Sequence, residues 1–299
     1  MDNRELSPLL LLSFVGVCLL PLAIARGSLT SLVALAFGDE TFSLIPVIPA
    51  VSFFLIYANR KRVFARVSVG WVLGAALLAP GLIFIWLAQL NFWHLGSAKQ
   101  GSLIFFGVVL FWMGAFALFF GTNAFRTALF PLLFLLFTVP IPEPILSGLI
   151  YFLQKESSEA TELFFRLAGV PYLRQGFIFE LPGVTIRVAE ECSGIRSTLA
   201  LLITSLLASH ALLRSKWKRG LVCLVVIPLS ILKNGMRIVT LSTLAIYVNP
   251  GFLFGNLHHH GGVVFFLLGL VPLILLVRCL EKTERKLPLR VPPDEMIQA

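Results

Sequence analysis

Three short stretches of this chain carry groups that an apolar sequence does not need for packing. The first is Cys192, set in Glu190-Glu191-Cys192-Ser193-Gly194-Ile195-Arg196 where a helical apolar run begins. A thiol in the first turn of a helix meets free N–H groups and the positive end of the dipole, which favour the thiolate. The second stretch is Lys233, Asn234 and Arg237, inside the apolar run 219–247. A charge in a membrane helix is costly and faces a polar cavity or a partner. Asn234 and Arg237 share a helical face, and so do Lys233 and Arg237. The third is His258-His259-His260, followed by Gly261-Gly262. Three consecutive histidines on a helix point in different directions, which disfavours zinc and leaves one of them as a general base. A thiol, a base and a fixed cation are what acyl transfer uses. The thiolate attacks a carbonyl, the imidazole protonates the leaving amine, and the guanidinium stabilises the oxyanion or orients a substrate carboxyl. The plainer readings are a small buried residue for Cys192, an arginine snorkelling to headgroups for Arg237, and a polar helix lead-in for the histidines.

The elements that position these groups are membrane helices. Of 299 residues, 58 % are hydrophobic and 13 % charged, where soluble domains run at about 45–50 % and about 25 %. The expected fold is an all-α polytopic membrane protein with about eight spans. They lie near 8–25, 41–58, 68–90, 101–120, 124–140, 192–213, 219–247 and 262–280. The first is read as an uncleaved helix, although Ala23-Ile24-Ala25 resembles a signal-peptide cleavage site. The chain divides into an N-terminal helical part, 1–139, a core, 140–280, and a basic tail, 281–299. The net charge of +9 reflects basic cytoplasmic loops rather than nucleic-acid binding. Arg60, Lys61, Arg62 and Arg66 follow span two. Arg126 follows span four, and Arg214, Lys216, Lys218 and Arg219 follow span six. Both termini then lie in the cytoplasm. The starts of spans six and eight face the other side. Arg237, 18 residues beyond Arg219 and so about 27 Å along the helix, lies in the same outer half. Cys192, Arg237 and His258 therefore converge on one leaflet. Cys192 is the only cysteine near that surface, with Cys18, Cys223 and Cys279 placed elsewhere, and no CxxC spacing occurs.

The segment 141–191 does not read as a span. Leu146, Leu149, Ile150, Leu153, Leu163, Phe164 and Leu167 recur at helical spacing, with Lys155, Glu156, Glu159 and Glu162 between them. That pattern predicts a helix lying in the membrane interface. Phe177–Leu181 and Val184–Val188, around Pro182-Gly183, predict a short β-hairpin leading into Cys192.

The stretch from Val188 to Ser197 resembles the signature of the exosortase/archaeosortase family. So do Pro140-Ile141-Pro142-Glu143, Asn234-Gly235-Met236-Arg237-Ile238, and a histidine followed by Gly and Phe within His258–Phe265. The resemblance covers about Pro140 to Leu280. It implies a multi-pass cysteine peptidase or transpeptidase acting on exported proteins with a C-terminal sorting signal. That signal is a motif such as Pro-Glu-Pro, then a membrane helix, then a basic cluster. It implies Cys192 as nucleophile, with Arg237 and His258 completing the set. His258 is selected because it stands four residues before Gly262, with His259 and His260 as alternatives. The roles of Glu190, Glu191 and Arg196 stay open. The expected partners are these exported proteins and the bilayer, and the chemistry requires no cofactor. The expected location is the cytoplasmic (inner) membrane, with the site on its outer face. Three rivals are a purely hydrolytic intramembrane protease, an anion transporter lined by Lys233 and Arg237, and a lipid or glycan acyltransferase.

Overall fold

A computed structural model describes residues 7–38, 42–90, 97–253 and 262–286. The chain forms two compact units, Met1–Leu146 and Ser147–Ala299.

In the first unit the helices are α1 (Pro8–Ile24), α2 (Arg26–Gly38), α3 (Val47–Ala58), α4 (Arg60–Val63), α5 (Trp71–Gln89), α6 (Ser97–Thr127) and α7 (Leu129–Phe134), with a 3₁₀ turn at Leu135–Thr138. The α5–α6 pair is its backbone. Lipid supplies no hydrophobic drive between helices, so close packing must hold them together. Small residues provide it. A Cβ on Gly74 would sit 2.9 Å from Leu118, and one on Gly114 would sit 2.6 Å from the Leu78 nitrogen. At Gly121 (φ +87°) α6 breaks, and a side chain there would strike Ser68. Phe116, Phe120, Ala117 and Val109 are buried around this axis, while Trp71 and Val72 are exposed, as lipid-facing side chains are.

The second unit holds the rest of α8 (Glu143–Ala168), then β1 (Leu173–Gln175), β2 (Ile178–Leu181) and β3 (Val184–Arg187). A 3₁₀ turn at Glu190–Ser193 leads into α9 (Ile195–Leu212), α10 (Lys216–Tyr247) and α11 (Gly262–Lys286). The last three helices pack on one another around Leu201, Val222, Val226, Leu273 and Val277. At one end Glu284 of α11 accepts from the Arg214 and Ser215 amides at 2.8 and 3.0 Å, which ties the α9–α10 turn to α11. The strands form an antiparallel sheet in the order β1-β2-β3. Gly183, at φ +78°, turns the β2–β3 hairpin. One face of the sheet, with Phe179, Leu181 and Ile186, covers Phe165 of α8.

Five helices are long and apolar enough to cross a membrane, and up to seven spans result if each of two bent helix pairs counts as one. Eight were expected. The difference lies in particular segments. The expected 41–58 span contains a helix of only 12 residues, Val47–Ala58, about 18 Å long. The expected 124–140 span is the short α7 and its 3₁₀ turn, bent by 90° from α8. The hairpin is as expected, with β1 as a third strand that the alternation did not reveal.

The expected amphipathic helix is present as α8, and the expected Leu153 is buried with Ala160 and Phe165, but its buried stripe is only partly apolar. Gln154, Ser157, Ser158 and Thr161 are buried, whereas Leu149, Leu163 and Leu167 are exposed. Small residues let helices approach: a Cβ on Gly235 of α10 would meet the Ala160 Cβ at 2.9 Å. The hydroxyls of Ser158 and Thr161 donate to carbonyls one turn back, at 2.8 and 2.7 Å, so burying them leaves no open donor.

Candidate active site

Cys192 sits in the 3₁₀ turn Glu190–Ser193, not in the first turn of α9. Gly194 takes φ +78° and stands between them, so α9 begins at Ile195. A left-handed residue cannot continue a right-handed helix, and glycine takes that conformation without a Cβ penalty. The fingerprint glycine thus ends one turn and starts the next helix.

Three contacts hold this turn. Val188 donates to the Phe177 carbonyl at 2.9 Å, extending the hairpin pairing toward Cys192. Gln154, buried on α8, donates Nε2 to the Val188 carbonyl at 2.6 Å. Asn234 on α10 donates Nδ2 to the Cys192 carbonyl at 2.7 Å. Asn234 is also why residue 194 is short of space: a Cβ there would meet its carboxamide at 3.0 Å. The roles of Gln154 and Asn234 as carbonyl donors were not legible in sequence. The available signal was an amide side chain on each of two otherwise packed helix faces.

Cys192 and Arg237 line one cleft, which lies wholly within the second unit. Its other walls are Ile186, Arg187, Val188, Asn234, Ile238, Leu241 and Ser242, around a cavity of about 60 Å³. Of the three groups expected on one leaflet, Cys192 and Arg237 share this cleft. Asn234, Arg237 and Leu241 reach the cleft because they recur at three and four residues along α10. Arg196, the second residue of α9, is exposed. His258, His259 and His260 lie outside the described residues.

Lys233 takes a different position. It is 3 % exposed and does not line the cleft. Its ammonium donates to Ser197 Oγ on α9. Its stem passes Gly269 of α11, where a Cβ would stand 3.1 Å from Lys233 Cδ. The rival reading of Lys233 and Arg237 lining one pathway is not the arrangement of this cleft.

A second charged cluster braces the sheet. Arg174 on β1 bridges Glu159, at 2.8 Å, and Glu162 of α8. Tyr172 donates to Glu162 at 3.0 Å. The half of α8 that carries these acids is too charged for hydrocarbon. The hydrogen bond from Arg174 holds both carboxyls below the usual carboxylate range, and the bond to Glu159 raises the Arg174 guanidinium in turn. Among the described residues no three of His, Cys, Asp and Glu gather to hold a metal ion.

A helical membrane protein with a small sheet over a cysteine-lined cleft is the class defined by this geometry. The profile of the transmembrane exosortases matches residues 35–275, and the chain belongs to that family. Membership brings with it the processing of sorting signals at a membrane. No curated protein matches the chain, and no solved structure does.

Proposed function

We propose that this protein is a cysteine peptidase or transpeptidase that cleaves a C-terminal sorting signal through a thioester. The observation that carries the reading is that Cys192 and Arg237 share a single cleft in a chain of the exosortase family. The Cys192 thiolate attacks the scissile carbonyl carbon and a C–S bond forms. Arg237 stabilises the oxyanion. The C–N bond breaks, and the amine leaves with a proton supplied by His258. Water or an amine of another molecule then attacks the thioester, the C–S bond breaks and the thiol is regenerated. The charge pattern of the loops supports a cleft on the outer face of the cytoplasmic membrane, with both termini inside. The charged half of α8 and its exposed Leu163 and Leu167 support a helix resting in the interface. A site there meets a scissile bond just outside a substrate's membrane helix.

The test is co-expression with a protein bearing Pro-Glu-Pro, a membrane helix and a basic tail, read by intact mass. Wild type is expected to remove the tail, and Cys192→Ala is expected to leave it. The mass gained at the new terminus, water or an adduct, separates hydrolysis from transfer. Equal processing by the two proteins would remove Cys192 from the nucleophile's role.

A further inference from the structure

The cleft beside Cys192 has a polarity that the thiol chemistry does not need. Among the described residues its lining includes two cationic residues, Arg187 and Arg237, and no acidic one; Ile186, Val188, Ile238 and Leu241 form the rest of its walls with Cys192, Asn234 and Ser242. A concave, weakly polar surface with one sign of charge concentrates the opposite sign. Arg187 is exposed, and among the described residues it has no hydrogen-bond or ion-pair partner. Glu180 lies diagonally across on the same face of β2, since Glu180 pairs with Thr185 and Ile178 with Arg187, and no ion pair joins it to Arg187.

Arg187 also ends an edge strand. The sheet order is β1-β2-β3, so one side of β3 is unpaired within the sheet. Val188 donates to Phe177. Antiparallel pairs alternate between hydrogen-bonded and non-bonded. Val184, Ile186 and Val188 therefore turn their backbone groups toward β2. Thr185 and Arg187 turn theirs away from β2, to the unpaired side, while Ile238, Val239 and Ile246 of α10 pack on the buried face of the sheet. An extended chain adding to such an edge gains main-chain bonds. It also places a side chain directly opposite each strand residue, on the same face.

We infer that β3 receives the substrate as an added strand, and that Arg187 is a specificity-determining residue pairing with an acidic side chain of that strand. The inference rests on the proposed peptidase function and names how its substrate is read. The occupant is a peptide, because the cleft offers a strand edge and apolar walls leading to Cys192. An anionic lipid headgroup would use only the two cations.

The test measures binding, so that it stands apart from cleavage. Purified Cys192→Ala protein in neutral detergent is titrated with a fluorescent eight-residue apolar peptide carrying one central Glu, and with its Gln and Lys twins. The Glu peptide is expected to bind at least about tenfold tighter than the Gln peptide, the size of a charge-assisted hydrogen bond. Arg187→Glu should abolish that preference and invert it toward the Lys peptide. Inversion cannot arise from a loosened fold. Equal affinity for the three peptides, or a Glu preference that survives Arg187→Glu, overturns the inference. So does competitive displacement of the Glu peptide from the parent protein by micelles of an anionic phospholipid but not of a zwitterionic one, which would make the cleft a headgroup site. If the peptides behave as expected while wild type cleaves no sorting signal, the reading of Arg187 stands and the peptidase function falls.

Discussion

Asn234 donates to the Cys192 carbonyl at 2.7 Å across 42 residues of sequence. It ties the middle of α10 to the turn that presents the thiol. On the same helix, three residues on, Arg237 enters the same cleft. One helix face therefore sets both the thiol's position and the cation's. Asn234→Ala should lower processing by about a hundredfold, the size expected when a reacting group moves by about 1 Å. Asn234→Asp should do no better, since a carboxylate has no proton to donate. Initial rates of tail removal, normalised to the enzyme in the membrane fraction, check this.

Gly194→Ala attacks the same geometry from the other side. The left-handed backbone costs an alanine about 1–2 kcal/mol, and the new methyl would press on the Asn234 carboxamide at 3.0 Å. The expected result is a lower unfolding temperature in detergent together with a loss of processing like that of Asn234→Ala. A wild-type rate in this variant would show that the turn tolerates a right-handed residue.

Lys233 and Ser197 test how a buried cation is kept. Removing the acceptor strands a buried charge, whereas removing both partners is milder. Ser197→Ala should thus destabilise more than Lys233→Met, and the double variant should recover part of the loss. Thermal unfolding of the purified proteins, read by tryptophan fluorescence, gives the three values. Additive losses would mean that the two side chains do not depend on each other.

The Arg174 cluster makes the sheet acid-sensitive. Glu159 and Glu162 titrate below the ordinary glutamate range in the folded protein because Arg174 hydrogen-bonds to them. A depressed carboxylate contributes stability above its unfolded pKa and loses it as pH falls through the folded one. Glu159 is 54 % exposed, so solvent screens its share to a few tenths of a kcal/mol, as for surface pairs in general, about 0–1 kcal/mol. The less exposed Glu162 dominates. Amide protection of β1 and β2 should fall as pH drops below about 4.5, and Glu162→Gln should show the low protection already at neutral pH.

The membrane class was plain in the composition, because 58 % hydrophobic residues leave no soluble solution. The hairpin was plain in the alternation around Pro182-Gly183, since a period of two is a local property of the chain. The fingerprint around Cys192 and the isolated Arg237 named two members of the cleft, because an uncompensated charge or thiol stands out in an apolar run. Other features required the fold. Periodicity shows that a helix has two faces but not which one meets lipid. In α8 the buried face mixes Leu153, Ala160 and Phe165 with Gln154, Ser157, Ser158 and Thr161, because helix approach at Ala160 and Gly235 selects size over polarity. The start of α9 at Ile195 rests on a single left-handed glycine, and a glycine in sequence does not declare its φ. Asn234, Gln154 and Arg187 acquire roles only when α10, α8 and β3 are brought around one turn. Hydrogen bonds and clefts are made by proximity in space, and residues separated by 34 or 42 positions become neighbours only through the packing of the whole unit.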